Sequence, residues 1–297
     1  MQYTLNDDHQ TIRDAIARIC AEFGDDYWLE RDQKGGFPEA FYQAVASSGW
    51  LGICTPEAYG GSGLGITEAA IMMQAIAEAG GGMAAASSVH INMFGLNPVV
   101  VFGTEEQKQR MLRPMVEGKE KTCFGVTEPN VGLNTTQLKT RAVRNGDRYI
   151  VNGQKVWIST AQVAEKILLL ARTTPLEEVS KPTMGLSLFH TDLDRSKIDV
   201  REIEKMGRKA VDSNELFIDG LEVPVADRIG EEGRGFEYIL HGMNPERVLI
   251  AAEAVGLGRL ALQRATDYAK ERVVFNRPIG RFSTHWPSTG PIWRLLV

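Results

Sequence analysis

The stretch CFGVTEPNVGLNTTQLKT, from Cys123 to Thr140, marks the point where helical periodicity gives way to strand periodicity. Upstream, apolar residues recur every three or four positions, as in TIRDAIARICAEF at residues 11–23, which places them on one helix face. Downstream, β-branched and aromatic residues alternate with polar ones, as in YIVNGQKVWIST at residues 149–160. The tripeptide TEP followed by a glycine predicts a strand that ends in a turn. This junction therefore separates a helical region from a β region.

The residue patterns on either side of this junction predict an α+β protein in three regions. Residues 1–120 are predicted to form an N-terminal helical domain, and residues 121–230 a small antiparallel β domain of roughly seven strands. Helical spacing returns in residues 231–280, chiefly as one long helix from Pro245 to Arg272. A single helix cannot bury its apolar face alone, so this third region is interpreted as the start of an incomplete helical bundle.

Local signals refine these regions. Thr67 and Thr104 each precede a helical pattern and are predicted to be N-caps. Asn145-Gly146 and Asn152-Gly153 are both typical of tight hairpin turns between strands. The sequence thus predicts two helix starts and two hairpins at specific residues.

Composition excludes several classes of protein. The 297 residues are 43% apolar and carry 33 basic against 38 acidic side chains, which leaves no basic footprint for nucleic acid. The three cysteines, Cys20, Cys54 and Cys123, lack metal-ligand spacing, and their odd number argues against a disulfide framework. No targeting segment is recognised, and no apolar run is expected to span a bilayer. A cytoplasmic location is the simplest expectation.

Four motifs follow one another along the chain: GVTEP with its later glycine, NGQKVWIS, PER within an alanine-rich helix, and ERVVFNRPIG. Each has an ordinary structural interpretation when taken singly. The TEP loop can simply leave a strand, Trp157 can be a core residue, and Arg272 can be a solvated cation at a helix C-terminus. In this order, and with GWLGICTPEAYGGSGLG at residues 49–65, they closely resemble the acyl-CoA dehydrogenase family of flavoproteins.

The resemblance implies a helical domain, a central β domain and a C-terminal four-helix bundle, with FAD held at a subunit interface. It implies that residues around TEP line the flavin ring, that Trp157 packs on one flavin face, and that Ser159 lies near flavin N5. Arg272 and Phe275 resemble the motif that reaches the FAD of a neighbouring subunit, where a guanidinium suits a pyrophosphate. The implied cofactor-binding residues are Phe124, Val126, Thr127, Trp157, Ser159, Arg272 and Phe275.

On the substrate side the chain departs from the family at one point. Family members commonly have Gly-Ser-Asp where this chain has Gly132-Leu133-Asn134, so the position of Leu133 carries over but the chemistry of the serine does not. His90 falls where family members line the acyl end of the pocket, although a lone helical histidine is commonly just a partly exposed polar residue. Arg247, which follows the candidate catalytic base Glu246 described below, is the third candidate for substrate binding.

The family's reaction removes the α-proton of an acyl-CoA thioester while the β-hydrogen leaves as hydride to flavin, and the electrons pass to electron transfer flavoprotein. The product is a trans-2-enoyl-CoA. Some members place the glutamate base in the long helix, within a sequence similar to MNPERVLIA, which makes Glu246 the candidate base. Its alternative is an ordinary first-turn acid behind an Asn244 cap and Pro245. Glu253 is a weaker candidate, interpreted as an acid paired with an arginine.

The sequence after Gly280, RFSTHWPSTGPIWRLLV, does not continue the family pattern and is treated as an atypical tail, residues 281–297. An offset reading frame would restore a family motif there, so the tail is interpreted as a frameshift that removes much of the bundle. The full-length family implies a homodimer or homotetramer. A second hypothesis follows, in which a catalytically impaired, truncated product binds flavin or acyl-CoA weakly or acts only as an interaction protein.

Overall fold

The structure is a computed structural model that describes residues 5–285. It has helical elements at both ends and one large sheet between them. The helices are α1 Asp7–Cys20, α2 Asp25–Lys34, α3 Glu39–Ser47, α4 Ile66–Glu78, α5 Gly82–Val89, α6 Ile91–Phe94, α7 Asn97–Phe102, α8 Glu105–Val116 and α9 Gly235–Glu271. The strands are β1 Thr122–Gly125, β2 Arg141–Asn145, β3 Arg148–Ser159, β4 Lys166–Arg172, β5 Leu186–Asp192, β6 Ile198–Glu202, β7 Ser213–Pro224, β8 Arg228–Ile229, β9 Val273–Val274 and β10 Arg277–Pro278.

The N-terminal helices pack around α4, as the predicted apolar faces require. Ile12 and Ile16 of α1 are buried with the core that α3, α4 and α5 share. The predicted cap at Thr104 is confirmed, because its hydroxyl accepts from the Gln107 N–H at 3.2 Å and the Gln107 side chain accepts from the Thr104 N–H at 3.0 Å. The predicted cap at Thr67 is wrong. Gly65 is the cap, and its N–H donates to the Glu68 carboxylate.

One apolar segment is longer than the sequence analysis expected. Residues Gly82–Phe102, which contain α5, α6 and α7, form a 21-residue segment with a mean hydropathy of 1.2, enough to cross a membrane by length and composition alone. Within the fold, 72% of this apolar window is buried. Such burial is ordinary for the core helices of a globular domain, so the segment is weak evidence for a span.

The central sheet has eight strands in the order β6-β7-β3-β2-β4-β5-β8, with β1 added beside β4. Most neighbours are antiparallel, but β1 and β2 each pair with β4 in parallel, so the sheet is mixed rather than wholly antiparallel. The α+β class is confirmed. Because β1 runs parallel to β4, the TEP loop, residues 127–129, leaves β1 beside the C-terminal half of β4.

The two predicted hairpins have different outcomes. The first is confirmed: Asn145 ends β2, the two-residue loop Gly146-Asp147 leads into β3, and Gly146 adopts the positive φ of 63° that such a turn needs. Asn152-Gly153 instead lies inside β3, at a register shift against β7. Gly153 is required there by close approach, because a Cβ would lie 2.4 Å from Thr140 Oγ1. This second glycine marks a bulge, and the hairpin prediction is wrong.

The long helix α9 starts ten residues before the predicted Pro245 and continues through that proline. A proline inside a helix frees the carbonyl four residues earlier, here that of His241. The side chain of Asn97, on α7, donates to this carbonyl at 2.7 Å and restores the missing hydrogen bond. Asn244 is therefore not a cap. The interpretation of Glu246 as a first-turn acid is wrong, because Glu246 lies in the helix interior.

After α9 the described chain forms the β9–β10 hairpin and a short 3₁₀ segment, Ile279–His285. Most of the predicted atypical tail, residues 286–297, lies outside the described residues. The frameshift interpretation and the domain boundaries at residues 120 and 230 stay predictions.

Candidate functional site

The three predicted regions meet at a cluster of polar side chains. His90 lies between α5 and α6, and its Nδ1 is 3.0 Å from Oε1 of Glu253 on α9. Arg208, from the loop between β6 and β7, donates to Ser87 Oγ on α5 at 3.0 Å and reaches Ser159 Oγ at the end of β3 at 3.5 Å. Binding sites in proteins occur preferentially where domains meet. This junction is therefore the candidate functional site.

Glu246 is the half-buried carboxyl group of this junction. Burial raises the pKa of the Glu246 carboxyl above its ordinary value, and the negative charge of Glu253 raises it further. His90, when it is protonated, and Arg247 act in the opposite direction through their positive charges. Arg247 itself is exposed and donates to Asn244 Oδ1 at 2.6 Å. A carboxylate with a raised pKa is a stronger base, which suits Glu246 for removing a weakly acidic proton.

Glu253 is fully buried two helical turns after Glu246. One carboxyl oxygen bonds His90, whereas the other, Oε2, has no hydrogen-bond partner among residues 5–285. The sequence pattern predicts an arginine partner for this acid, but the hydrogen-bonded partner in the structure is a histidine. Arg208 does contribute, through its positive charge facing Glu253.

A buried ion pair fixes the backbone around the TEP loop. Lys155 Nζ, which is inaccessible to solvent, donates to Glu128 Oε1 at 3.0 Å and to the carbonyl oxygens of Val126 at 3.0 Å and Leu170 at 2.9 Å. Burial lowers the pKa of Lys155 to about 8, while the charge of Glu128 opposes that shift. The sequence analysis missed this pair. A lysine at an inward position of a strand is the signal that pointed to it.

Trp157 interrupts the alternation of buried and exposed side chains along β3. A register shift between Lys155 and Ile158 forms a bulge against β7, and Trp157 has a positive φ of 61° within it. Its side chain is 62% exposed, so the core interpretation of this tryptophan is wrong. A bulky residue with positive φ is strained, and bulges often redirect a side chain beside a functional site. Ser159, two residues on, is half-buried beside Arg208.

The residues beside Trp157 fit a flat, hydrogen-bonding cofactor such as the isoalloxazine ring of FAD. The Thr127 carbonyl accepts from the Val156 N–H at 2.9 Å, which places Thr127 next to the bulge. The Thr127 N–H and hydroxyl have no partner among the described residues and are free to bond a ligand edge. Val126 differs from the expectation, because its N–H donates to the Phe124 carbonyl at 3.2 Å. An exposed aromatic face with free donors beside it is what a flavin requires.

Three predicted residues are not brought into this cluster. Arg272 lies 26 residues after Glu246 along α9, which corresponds to about 35 to 40 Å at helical rise. Phe275, in the hairpin that follows, is 86% exposed with a positive φ of 49°. Leu133 is fully exposed on its loop. Arg272 and Phe275 are thus too far along the helix to serve the same chain's site.

Comparison with known proteins agrees with this arrangement. Family models of the acyl-CoA dehydrogenase N-terminal, middle and C-terminal domains match residues 6–119, 123–221 and 233–285. A probable acyl-CoA dehydrogenase of Bacillus subtilis, YngJ, is 33% identical over 284 residues, which cover 95% of this chain and 73% of that protein. The caffeyl-CoA reductase-Etf complex subunit CarC of Acetobacterium woodii is 32% identical and covered over 66% of its length, with 85% of this chain matched.

A solved structure extends the likeness to three dimensions. Butyryl-CoA dehydrogenase from Megasphaera elsdenii superimposes with a TM-score of 0.87 at 29% identity, covering 95% of this chain and 74% of that one. At 95% coverage of this chain the match includes residues of the helical region, the sheet and α9. With all three domain models matched in order, the chain belongs to the acyl-CoA dehydrogenase family of FAD-dependent oxidoreductases.

Proposed function

We propose that the protein catalyses FAD-dependent α,β-dehydrogenation of an acyl-CoA thioester to the trans-2-enoyl-CoA, with Glu246 as the base. The observation that carries this proposal is the position of Glu246. It lies in the interior of α9, half-buried at the junction of the three regions, and burial raises its pKa. An ordinary surface acid would have neither the burial nor the raised pKa.

The base step follows from the chemistry of the thioester. An α-proton of a thioester is only weakly acidic, so its removal needs a carboxylate beside Cα in a site that excludes water. Glu246 in its ionised form accepts this proton and becomes a neutral carboxylic acid. Burial stabilises that neutral product relative to the charged reactant, which favours the transfer.

The cofactor would be held by the residues around the β3 bulge. Trp157 would cover one face of the ring, the free N–H and hydroxyl of Thr127 would bond its edge, and Ser159 would lie beside it with Arg208. Phe124 and Val126 would complete the wall, ordered through the Lys155 bonds to the Val126 carbonyl. When bound, FAD supplies the acceptor for the β-hydrogen and its electron pair, so that loss of the α-proton to Glu246 completes the double bond.

Partners are proposed on the same basis. The Acetobacterium relative is named as a subunit of an Etf complex, which supports electron transfer flavoprotein as the electron acceptor. Arg272 and Phe275 would contribute to the FAD site of a neighbouring subunit in a homodimer or homotetramer, because they are far from the site of their own chain. Cys20, Cys54 and Cys123 are all free thiols, which agrees with a reducing, cytoplasmic compartment.

The exposed face of α9 supports one alternative function. Val248, Val255 and Leu262 recur every seven residues on that helix, and each is exposed among the described residues. A stripe of this spacing is typical of a helix that packs against another helix. The alternative is thus a catalytically impaired protein that binds flavin or acyl-CoA weakly and acts mainly through that face.

Anaerobic titration of the FAD-reconstituted protein with saturated acyl-CoA thioesters of increasing chain length separates the two functions. The proposed reaction predicts one FAD per chain, bleaching of the flavin absorbance by at least one thioester, and a matching yield of trans-2-enoyl-CoA. Absence of bleaching by every thioester, whether FAD is bound at one per chain or less, would contradict the proposed reaction and support a catalytically impaired protein.

A further inference from the structure

One part of the junction carries a polar pair that proton removal by Glu246 does not use. Glu253 is completely inaccessible to solvent, and its Oε1 lies 3.0 Å from His90 Nδ1. Its second oxygen, Oε2, has no partner among the described residues. A buried polar atom without a partner costs about 1–3 kcal/mol, and more when it is charged. The fold therefore retains a costly polar group at this position.

His90 is the member of the pair that reaches accessible space. Its side chain is 12% exposed, whereas that of Glu253 is not exposed at all. In the neutral imidazole, a carboxylate beside Nδ1 orders the ring so that Nδ1 carries the proton and Nε2 is left as an acceptor. Among residues 5–285, Nε2 has no hydrogen-bond partner. The pair thus presents a fixed acceptor to a ligand.

Glu253 stands at a defined separation from Glu246 along α9. Glu246 and Glu253 are seven residues apart on α9, hence on one face and about 10 Å apart along the helix axis. Aromatic rings continue from His90 into the site, since the His90 and Phe94 rings are 5.5 Å apart and the Phe94 and Phe124 rings 5.7 Å apart. A group held at Glu246 by its α-carbon would extend along these rings toward His90.

The charges around His90 and Glu253 determine which substituent of a ligand the pair can bind. A carboxylate on the ligand would be repelled by Glu246 and Glu253. An ammonium group would be attracted by those acids, but it would have to lose its hydration shell and face Arg208, whose charge already interacts with Glu253. A hydroxyl group is neutral, donates to His90 Nε2 and keeps two lone pairs for other donors. A purely apolar group would seal Nε2 away from water without a partner.

We propose that His90 and Glu253 determine substrate specificity by binding a hydroxyl group at the distal end of the acyl chain, so that the preferred substrate class is hydroxyacyl-CoA. This inference rests on the proposed function, because it takes Glu246 as the residue that contacts the α-carbon. His90 makes the contact, and Glu253 positions its ring. A site built to bond a hydroxyl discriminates strongly against the analogue that lacks it, because its own polar atoms are then left unpaired.

The test compares binding of matched thioesters to the FAD-reconstituted protein. Straight-chain trans-2-enoyl-CoA thioesters of four to ten carbons are used, each with and without a hydroxyl on the terminal carbon, and dissociation constants are measured by calorimetry. The wild type is expected to bind the hydroxylated member at least about tenfold more tightly at one or more lengths. His90→Phe and Glu253→Gln should each reduce that preference to less than about threefold.

His9→Gln is the matched control, because His9 also pairs with a glutamate, Glu68, at 3.1 Å but lies on α1 outside the junction. The control should retain the wild-type preference. A wild type without preference at every length, or with no binding of either member, would overturn the inference. So would a preference that survives in both Glu253→Gln and His90→Phe. Glu253→Gln keeps the side-chain shape and decides the question if His90→Phe does not fold.

The binding test and the test of the proposed reaction can fail independently of each other. Flavin bleaching by the saturated thioesters, without a hydroxyl preference in binding, would overturn the specificity inference and leave the dehydrogenase reaction in place. A hydroxyl preference without bleaching would support the binding role of the pair and contradict the reaction.

Discussion

At the scale of single residues, the pair Lys155 and Glu128 determines where the cofactor-facing backbone lies. Glu128 accepts from the N–H groups of Lys139 and Thr140 as well as from Lys155, so one carboxylate connects β1 to the start of β2. Lys155 in turn holds the carbonyl oxygens of Val126 and Leu170. Loss of either partner leaves an unpaired charge in a site that water does not reach.

Glu128→Gln should destabilise the fold by about 3–5 kcal/mol, because the buried ammonium of Lys155 loses its counter-charge. The free energy of unfolding from chemical denaturation measures this effect. Glu222→Gln removes the partner of Arg148 in an exposed pair and serves as the control, with no measurable change expected. Equal denaturation midpoints for Glu128→Gln and the wild type would show that the pair has no structural role.

Residue identity predicted part of the site. Glu246 and His90, selected by their motif positions, both lie at the junction in the structure, and their roles there stay predictions. Arg208 could not be predicted, because its guanidinium reaches Ser87 and Ser159 only through a left-handed backbone at φ 57°. Trp157 was ambiguous for a similar reason. Its side chain is exposed because of a bulge in β3, and the alternation of apolar and polar residues in the sequence does not indicate that bulge.

At the scale of elements, α9 is positioned by a close contact with α4. Gly256 permits this contact, because a Cβ there would lie 2.3 Å from the carbonyl oxygen of Gln74 and 3.0 Å from Ala77 Cβ. Gly258, two residues on, has nothing within 4 Å of such a Cβ. The two glycines share one helix but differ in surroundings, since only Gly256 lies at the interface.

Gly256→Ala should destabilise the protein by about 1–3 kcal/mol, because α9 must move away from α4 to accommodate the methyl group. Gly258→Ala is the paired variant and should stabilise it by about 0.5–1 kcal/mol, since alanine favours the helix over glycine. Thermal or chemical unfolding midpoints compare the two. Shifts of the same sign in both variants would contradict the packing argument.

Helices and strands could be predicted where the residues that determine their ends are close together in the sequence. The Thr104 capping box is complete within four residues, so the sequence was sufficient. The start of α9 was missed, since Pro245 resembles a helix start when the compensating bond from Asn97 to His241 is unseen. The hairpin prediction at Asn152-Gly153 was wrong for a similar reason, because Gly153 is required by a close contact with Thr140, which lies just before β2.

At the scale of the whole molecule, the unpaired face of α9 is the main exposed apolar surface in the third region. Its stripe of Val248, Val255 and Leu262 lies on the same helix that holds Glu246. Helices with apolar residues every seven positions associate through that seam. The hairpin with Arg272 and Phe275 follows this helix, so association there would also bring those two residues toward another subunit.

The double variant Val255→Lys, Leu262→Lys should weaken self-association, because two charges then interrupt the apolar stripe. Sedimentation velocity over a concentration series measures the effect, and the wild type should show the larger species. Met206→Lys, at a fully exposed methionine in the β6–β7 loop, is the control and should behave as the wild type. A wild type that is monomeric at all concentrations would contradict this expectation.

The proposed dehydrogenase depends most on Glu246 as base, and the pH dependence of anaerobic flavin reduction by a saturated acyl-CoA tests that role directly. Because the carboxylate is the active form and burial raises its pKa above 4.5, the wild-type rate should rise with pH through a value above 4.5 and then level off. Glu246→Gln should be about 10²–10⁴ slower at the plateau and lose this rise. Equal rates and profiles in the two proteins, at equal FAD content, would contradict the account.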